Sequence, residues 1–165
     1  MRFFHRGAVV AVGAAAPTRT VLQWLREDAR CTGTKEGCAE GDCGACTVVV
    51  ASLDAQGALQ LQPLNVCIQF LPMLDGKALF TVEDVADSAA TPDGTLHPVQ
   101  QSMVGCHGSQ CGFCTPGFVM SLWACYQRHQ AAGTVPTRQQ LADDKFLGGL
   151  NFYVKGVEGK VPAGK

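Results

Sequence analysis

Residues 34–50, TKEGCAEGDCGACTVVV, contain three of the nine cysteines of this 165-residue chain. Cys38, Cys43 and Cys46 form a C-x4-C-x2-C run, and Cys67 follows after a long gap. Four thiolates at this spacing are typical of a site in which two irons are bridged by two sulfides. The sequence therefore predicts a [2Fe–2S] cluster on Cys38, Cys43, Cys46 and Cys67.

The residues between these cysteines are small, as such a loop requires. Gly37, Gly41 and Gly44 allow the backbone to curl around a cluster. Ala39 and Ala45 let backbone N–H groups approach the sulfur atoms, and such hydrogen bonds help to set a reduction potential. A structural zinc site and a pair of disulfides are the alternatives. Zinc sites usually contain paired C-x2-C motifs, and only half of this set has that form.

Composition excludes several classes of protein. The formal net charge of −1 provides no basic surface for nucleic acid or anionic lipid. An odd number of cysteines argues against a framework made only of disulfides, and their clustered spacing favours metal. Thiolate ligands persist in a reducing compartment, so a cytoplasmic location is expected. No stretch approaches the roughly 20 apolar residues of a membrane span.

The first sixteen residues have two interpretations. A basic start, an apolar stretch and Ala14, Ala15 and Ala16 resemble a secretory signal peptide. The apolar stretch is short, however, and contains only alanine, valine and glycine. We therefore predict a β-hairpin, with residues 2–5 paired to residues 8–12 across Arg6 and Gly7.

The pattern from residue 17 to residue 86 predicts one α+β domain, residues 1–86. Val21, Leu22 and Leu25 form the apolar stripe of a helix, with Arg26 on its solvent side, and Cys31 after it is expected to be a small buried residue. Residues 47–51, 59–62 and 77–82 are predicted strands, with a turn at 54–57. A small mixed sheet crossed by one helix is a β-grasp arrangement.

Residues 87–95 are polar and contain proline and glycine, which predicts a linker. A second domain, residues 95–165, is predicted to be helical. Pro98 suits a first helical position. Thr115 and Pro116 are predicted to be the N-cap and first residue of a long helix that runs to about Gln130 and ends near Gly133. Thr137 and Gln140 predict a capping box for a further helix.

Two segments resemble one enzyme family. Residues 33–50, GTKEGCAEGDCGACTVVV, are similar to the ferredoxin domain of the molybdenum hydroxylases, and residues 107–123, HGSQCGFCTPGFVMSLW, are similar to their second iron–sulfur domain. Within that family the chain is most similar to the iron–sulfur part of bacterial xanthine dehydrogenase. The resemblance implies a ferredoxin-like β-grasp domain followed by a helical [2Fe–2S]-binding domain.

The second segment contains another set of cysteines. Cys106, Cys111 and Cys114 repeat the C-x4-C-x2-C spacing, but Cys106 lies on the apolar stripe of a predicted helix with Val99 and Met103. The resemblance implies instead that Cys111 and Cys114 bind a second cluster, together with a later C-x-C pair. It also implies that Gln110 touches the pterin of a molybdenum cofactor.

This sequence departs from the family because it has no C-x-C pair after Cys114. The only later cysteine is Cys125, about 16 Å from Cys114 along a helix at about 1.5 Å per residue. The second site therefore has two family ligands, with Cys106 as a candidate third. Relative to the family, the second domain thus has an atypical end from about residue 145, and its second site is expected to stay empty or to hold a labile cluster.

The resemblance implies an electron-transfer component that relays electrons from a molybdenum cofactor to FAD during purine oxidation. The molybdenum-pterin cofactor and the FAD would lie on partner subunits or domains. No triad or carboxylate pair indicates substrate chemistry on this chain, so no catalytic residue is predicted. The alternatives are a free-standing [2Fe–2S] ferredoxin-type carrier and a zinc-stabilised interaction module.

Overall fold

The computed structural model of the protein describes residues 1–86 and 96–137. The first range contains strands β1 (Arg2–His5), β2 (Ala8–Ala11), β3 (Thr47–Leu53), β4 (Leu59–Asn65) and β5 (Ala78–Phe80), helices α1 (Val21–Glu27) and α2 (Val82–Ala86), and a 3-10 turn at Leu71–Leu74. The second contains helices α3 (Pro98–Gly105) and α4 (Thr115–Ala132). None of the described helices is both long and apolar enough to span a bilayer.

The five strands form one mixed sheet in the order β2-β1-β5-β3-β4. The β1–β5 pair is parallel, and the other three pairs are antiparallel. The first core joins residues of α1 to one face of this sheet. Its fully buried members include Phe3, Val21, Leu25, Val48 and Leu79. This arrangement confirms the α+β class and the predicted β-grasp domain.

The N-terminal residues form the predicted hairpin. Phe3 pairs with Val10 and His5 pairs with Ala8 across a two-residue turn. Both turn residues have positive φ, 49° at Arg6 and 78° at Gly7, as the common two-residue hairpin turn requires. Strand β2 is thus one edge of the sheet, and β1 lies between β2 and β5.

Helix α1 begins at a complete capping box. The Thr20 hydroxyl accepts from the Gln23 N–H at 3.1 Å, and the Gln23 side chain accepts from the Thr20 N–H at 3.0 Å. At its other end, Arg26 donates to the carbonyl oxygens of Thr32 and Thr34, at 3.2 and 2.8 Å. Arg26, which the sequence pattern placed in solvent, therefore ties α1 to the segment that leads into the cysteine loop.

The prediction for residues 77–82 was wrong in part. The strand covers only Ala78–Phe80, and Val82 begins helix α2. Asp84 accepts hydrogen bonds from the N–H and the hydroxyl of Thr81, at 2.6 and 3.0 Å, which turns the chain out of the sheet. The T-x-x-D spacing is a helix-start signal that could have identified α2.

The strand predicted at residues 59–62 extends to Asn65. It contains Pro63, which pairs with Val49. Proline is tolerated there because β4 is the last strand of the sheet, so its outer side needs no N–H donor.

Helix α4 packs on the face of the sheet opposite α1. A second core contains Val49 of β3, Val85 of α2, and Val119, Met120 and Trp123 of α4. Strand β3 is consequently buried on both faces: Val48 and Val49 point to opposite sides, and each has no exposed surface. The fully apolar run of residues 48–51 follows from this double burial.

The start of α4 differs by one residue from the prediction. The N-cap is Cys114 rather than Thr115, and it makes no capping hydrogen bond through its side chain. The Thr115 hydroxyl instead lies 2.8 Å from the Ser109 hydroxyl, so it closes the loop before the helix. Gly133 has φ 63° and ends α4 as predicted. The predicted linker, residues 87–95, and Gln140 lie outside the described residues.

Helix α3 is capped by a buried histidine. His97 Nδ1 accepts from the Val99 N–H at 3.2 Å, and the Gln100 side chain accepts from the His97 N–H at 3.2 Å. The imidazole is fully buried and meets the Tyr126 ring edge to face at 5.0 Å. Among the described residues, Nε2 has no hydrogen-bond partner. Burial lowers the pKa of His97 below its ordinary value.

This cap should make stability depend on pH. Because the pKa of His97 is lower in the folded state than in the unfolded state, where it is about 6.5, its contribution is present above that pH and is lost as the pH falls. When the pH is lowered from about 7.5 to about 5.5, the free energy of unfolding in urea should fall less in His97→Asn than in the parent protein. Asparagine also caps a helix but does not titrate. His129→Asn, at a half-exposed histidine, is the control. An equal pH dependence in His97→Asn and the parent would contradict this account.

Candidate metal centre

The first cysteine loop, residues 37–46, is curled tightly. Positive φ angles occur at Ala39 (57°), Gly41 (84°) and Gly44 (71°). A Cβ at Gly41 would lie 2.6 Å from Ile68 Cδ1, and one at Gly37 would lie 2.8 Å from Cys43 Sγ. The predicted glycines are therefore needed where the loop reverses and where the chain approaches its own sulfur atoms.

The Cys38 sulfur lies inside this curl and collects backbone donors. It accepts from the N–H groups of Cys43 at 3.3 Å, Asp42 at 3.3 Å and Glu40 at 3.5 Å. These hydrogen bonds lower the pKa of Cys38 to about 6, and the one from the Cys43 N–H has the largest effect. Stabilisation of a thiolate by backbone N–H groups is what a metal-ligating sulfur requires.

Cys46 and Cys67 lie deeper in the protein. Cys46 is the residue before β3, Cys67 follows β4, and both are buried. The Val66 N–H donates to the Cys46 carbonyl oxygen at 3.4 Å, which brings the two segments together. Burial, with the neighbouring Cys67 as a further cause, raises the pKa of Cys46 to about 12. Without metal this thiol keeps its proton, so binding of a metal would release it.

The four cysteines are arranged as contacting pairs. The Cys43 side chain is hydrogen-bonded to Cys38, and Cys67 is hydrogen-bonded to Cys46. Within residues 1–86 and 96–137, no three His, Cys, Asp or Glu side chains converge as they would around one metal ion. A single tetrahedral zinc takes four protein ligands, whereas each iron of a [2Fe–2S] cluster needs only two because the sulfides supply the others. Two pairs of contacting thiols match the ligands that the two irons of such a cluster need.

Asn65 and Thr47 fasten the loop to the sheet, and the sequence patterns did not identify them. Asn65 Nδ2 donates to the Gly41 carbonyl oxygen at 2.6 Å. The Thr47 hydroxyl lies 2.7 Å from the Gly44 carbonyl oxygen and 2.9 Å from Asn65 Oδ1. Their role depends on a contact between β3 and β4, so no local motif indicates it.

Cys31 is buried apart from this set, as predicted. Its sulfur lies 3.6 Å from His5 Nε2, and its pKa is raised, chiefly by burial. The first four-cysteine set is complete without it.

The second cysteine loop, residues 108–114, joins α3 to α4. Cys111 is exposed, Cys114 is half-buried at the start of α4, and Gln110 is exposed. Cys106 is half-buried and is the C-cap of α3 rather than a residue on its apolar stripe. The structure thus brings Cys111 and Cys114 into one short loop. The roles of these cysteines and of Gln110 as ligand and cofactor contact remain predictions.

The two cysteine loops lie against each other. A Cβ at Gly117, in the first turn of α4, would overlap the carbonyl oxygen of Gly44 and lie 3.1 Å from the Gly44 carbonyl carbon. A Cβ at Gly37 would lie 3.5 Å from Cε1 of Phe113, between Cys111 and Cys114. The packing of α4 on the sheet therefore places the second loop beside the first.

Comparison with known families agrees with this arrangement. Residues 4–68 match the family described as "2Fe-2S iron-sulfur cluster binding domain", and residues 81–148 match the family described as "[2Fe-2S] binding domain". The fold is that of quinoline 2-oxidoreductase from Pseudomonas putida 86, with a TM-score of 0.66, 24% identity and 98% of each chain covered. The class defined by fold and sequence is thus a two-domain [2Fe–2S] iron–sulfur protein.

Two relatives give the family. The chain is 42% identical over 144 residues to a xanthine dehydrogenase of Blastobotrys adeninivorans. The matched region covers 87% of this chain and 10% of the relative. It is 38% identical over 142 residues to aldehyde oxidase 1 of Rattus norvegicus, with 86% of this chain and 10% of the relative covered. The chain belongs to the molybdenum hydroxylase family and corresponds to the iron–sulfur domains of these enzymes. It spans about a tenth of the length of these relatives, and the bacterial affinity stays a prediction.

The second site should be poorly loaded in this chain. Of the ligands that the family resemblance predicts for this site, the sequence contains Cys111 and Cys114, and Cys106 is the next cysteine before them. EPR of the reduced protein is expected to show one [2Fe–2S] signal, with the second site empty or losing its cluster on purification. A partner or an altered tail that supplies a C-x-C pair should restore the second signal. Two distinct signals from the chain alone would contradict this prediction.

Proposed function

We propose that this chain is the electron-transfer iron–sulfur component of a molybdenum hydroxylase. It would relay electrons from a molybdenum-pterin cofactor to FAD, with both groups on partner subunits or domains in the cytoplasm. The observation that supports the proposal is the close packing of the start of α4 on the first cysteine loop, at Gly117 and Gly44, because α4 directly follows the second cysteine loop. Adjacent cluster sites shorten an electron path, and a lone carrier has no need of the second loop.

The proposed ligands of the first site are Cys38, Cys43, Cys46 and Cys67, and those of the second site are Cys111 and Cys114. A [2Fe–2S] cluster, when bound, accepts and releases one electron at a time. The chain itself supplies the thiolates, the backbone N–H groups around Cys38 and the buried environment of Cys46. These features tune a potential through hydrogen bonds and exclusion of water.

The substrate proposal follows the sequence resemblance. Residues 33–50 are similar to the corresponding segment of xanthine dehydrogenase, so we propose a purine as the substrate of the complete enzyme. The chemistry on that substrate is assigned to the partners. Exposed Gln110, at the tip of the second loop, is the proposed contact to the pterin.

An anaerobic reductive titration tests the proposal. The brown protein should take up about one electron at the first site, bleach, and recover its colour on addition of oxidised free flavin. Cys43→Ser is the matched control and should take up no electron at that site. A colourless protein, or a chromophore that flavin does not reoxidise, would contradict the proposal. Purification in a stable complex with flavin and molybdenum subunits would separate it from a free-standing carrier, which elutes alone.

A further inference from the structure

The side chain of Phe113 has no assigned role, yet it lies at the junction of the two loops. Its Cε1 atom would lie 3.5 Å from a Cβ at Gly37, and Cys43 Sγ would lie 2.8 Å from the same point. The ring and the sulfur therefore flank one small space beside the exposed backbone of Gly37. Phe113 belongs to the second loop in sequence but borders the first site in space.

The surrounding structure holds the ring in this place. Gly117 seats the start of α4 on the Gly44 backbone, which fixes the second loop relative to the first. The Ser109 and Thr115 hydroxyls, 2.8 Å apart, close the loop on the other side, and Gly112, with φ 82°, turns the chain immediately before Phe113. The ring is still 47% exposed, so it forms a partial cover rather than part of a core.

We infer that Phe113 is a positioning residue of the first [2Fe–2S] site, which covers the Gly37 and Cys43 side of its loop against water. The inference rests on the proposed function, because it requires a cluster on Cys38, Cys43, Cys46 and Cys67. A phenyl ring displaces water from the sulfur without forming a bond to it. The second domain thereby stabilises and tunes the cluster of the first domain.

Two measurements on the full chain test this role: the rate at which a chelator removes the cluster and the midpoint potential of the cluster. Both are made on the first-site cluster, which is identified by the EPR signal that Cys43→Ser removes. In Phe113→Ala, loss of cluster absorbance to an iron chelator should be at least about threefold faster, because water and chelator reach Cys43. The midpoint potential should rise, because water stabilises the more negative reduced cluster. Phe113→Leu, which keeps an apolar cover, should remain close to the parent in both measurements.

Phe4→Ala is the matched control, since Phe4 is a 39% exposed phenylalanine on β1. It should leave the potential unchanged, because a merely structural loss does not alter the environment of an intact cluster. An intact signal with the parent's potential and chelation rate in Phe113→Ala would overturn the inference alone. Absence of any [2Fe–2S] signal in the parent would overturn the proposed function together with it.

Discussion

Replacement of Cys43 by serine should abolish the EPR signal of the first [2Fe–2S] site. Cys43 is a proposed ligand, and its N–H and its side chain both hydrogen-bond to Cys38. The substitution therefore removes one ligand and disturbs a second. Cluster binding and folding are coupled, so the β-grasp domain should also lose stability. Its thermal midpoint should fall by at least about 5 °C, since about 1 kcal/mol shifts a chain of this size by about 2–4 °C.

Cys125→Ala is the control for this substitution. Cys125 is a buried cysteine in the middle of α4, whereas Cys43 is half-buried in the first cysteine loop. Its removal costs packing, but the first-site signal should remain. An unchanged signal in Cys43→Ser would show that the ligand set is wrong.

The second large effect is expected from Gly117→Ala. A methyl group there meets backbone atoms of Gly44 and Ala45, which cannot move aside as the end of a flexible side chain would. Overpacking of this kind costs about 1–3 kcal/mol or more, and the gain in helix propensity over glycine offsets up to about 1 kcal/mol. We expect a net loss of about 2 kcal/mol in urea unfolding, with faster release of the first-site cluster because α4 is lifted from the loop.

Gly105→Ala provides the matched comparison. Gly105 is the last residue of α3, and a Cβ there would have no atom within 4 Å. This variant should be neutral or more stable by up to about 1 kcal/mol. If Gly117→Ala behaved in the same way as Gly105→Ala, α4 would not be seated on the cysteine loop as described.

Local patterns predicted most of the first domain. The two short segments on either side of Arg6 and Gly7 and the stripe of Val21, Leu22 and Leu25 describe short-range geometry, and both elements form. The ligand set predicted from the cysteine spacing stays a prediction. The error at residues 77–82 was also local, since the pairing of Thr81 with Asp84 was overlooked.

The contacts between the two halves of the chain could not be predicted in this way. Residues 48–50 indicated a buried strand, but not that α4 covers its second face. No pattern in the sequence indicated a role for Gly117 or Phe113. Their roles arise from neighbours about seventy residues away, Gly44 and Gly37. Such pairings depend on tertiary packing, which periodicity does not encode.

The central claim is that Cys38, Cys43, Cys46 and Cys67 bind a two-iron, two-sulfide cluster. Its most direct test is the content of iron, zinc and acid-labile sulfide per chain in protein purified without air. The account predicts about two irons and about two sulfides in a brown protein, with both lost from that site in Cys43→Ser. A colourless protein that contains zinc and no labile sulfide would contradict it.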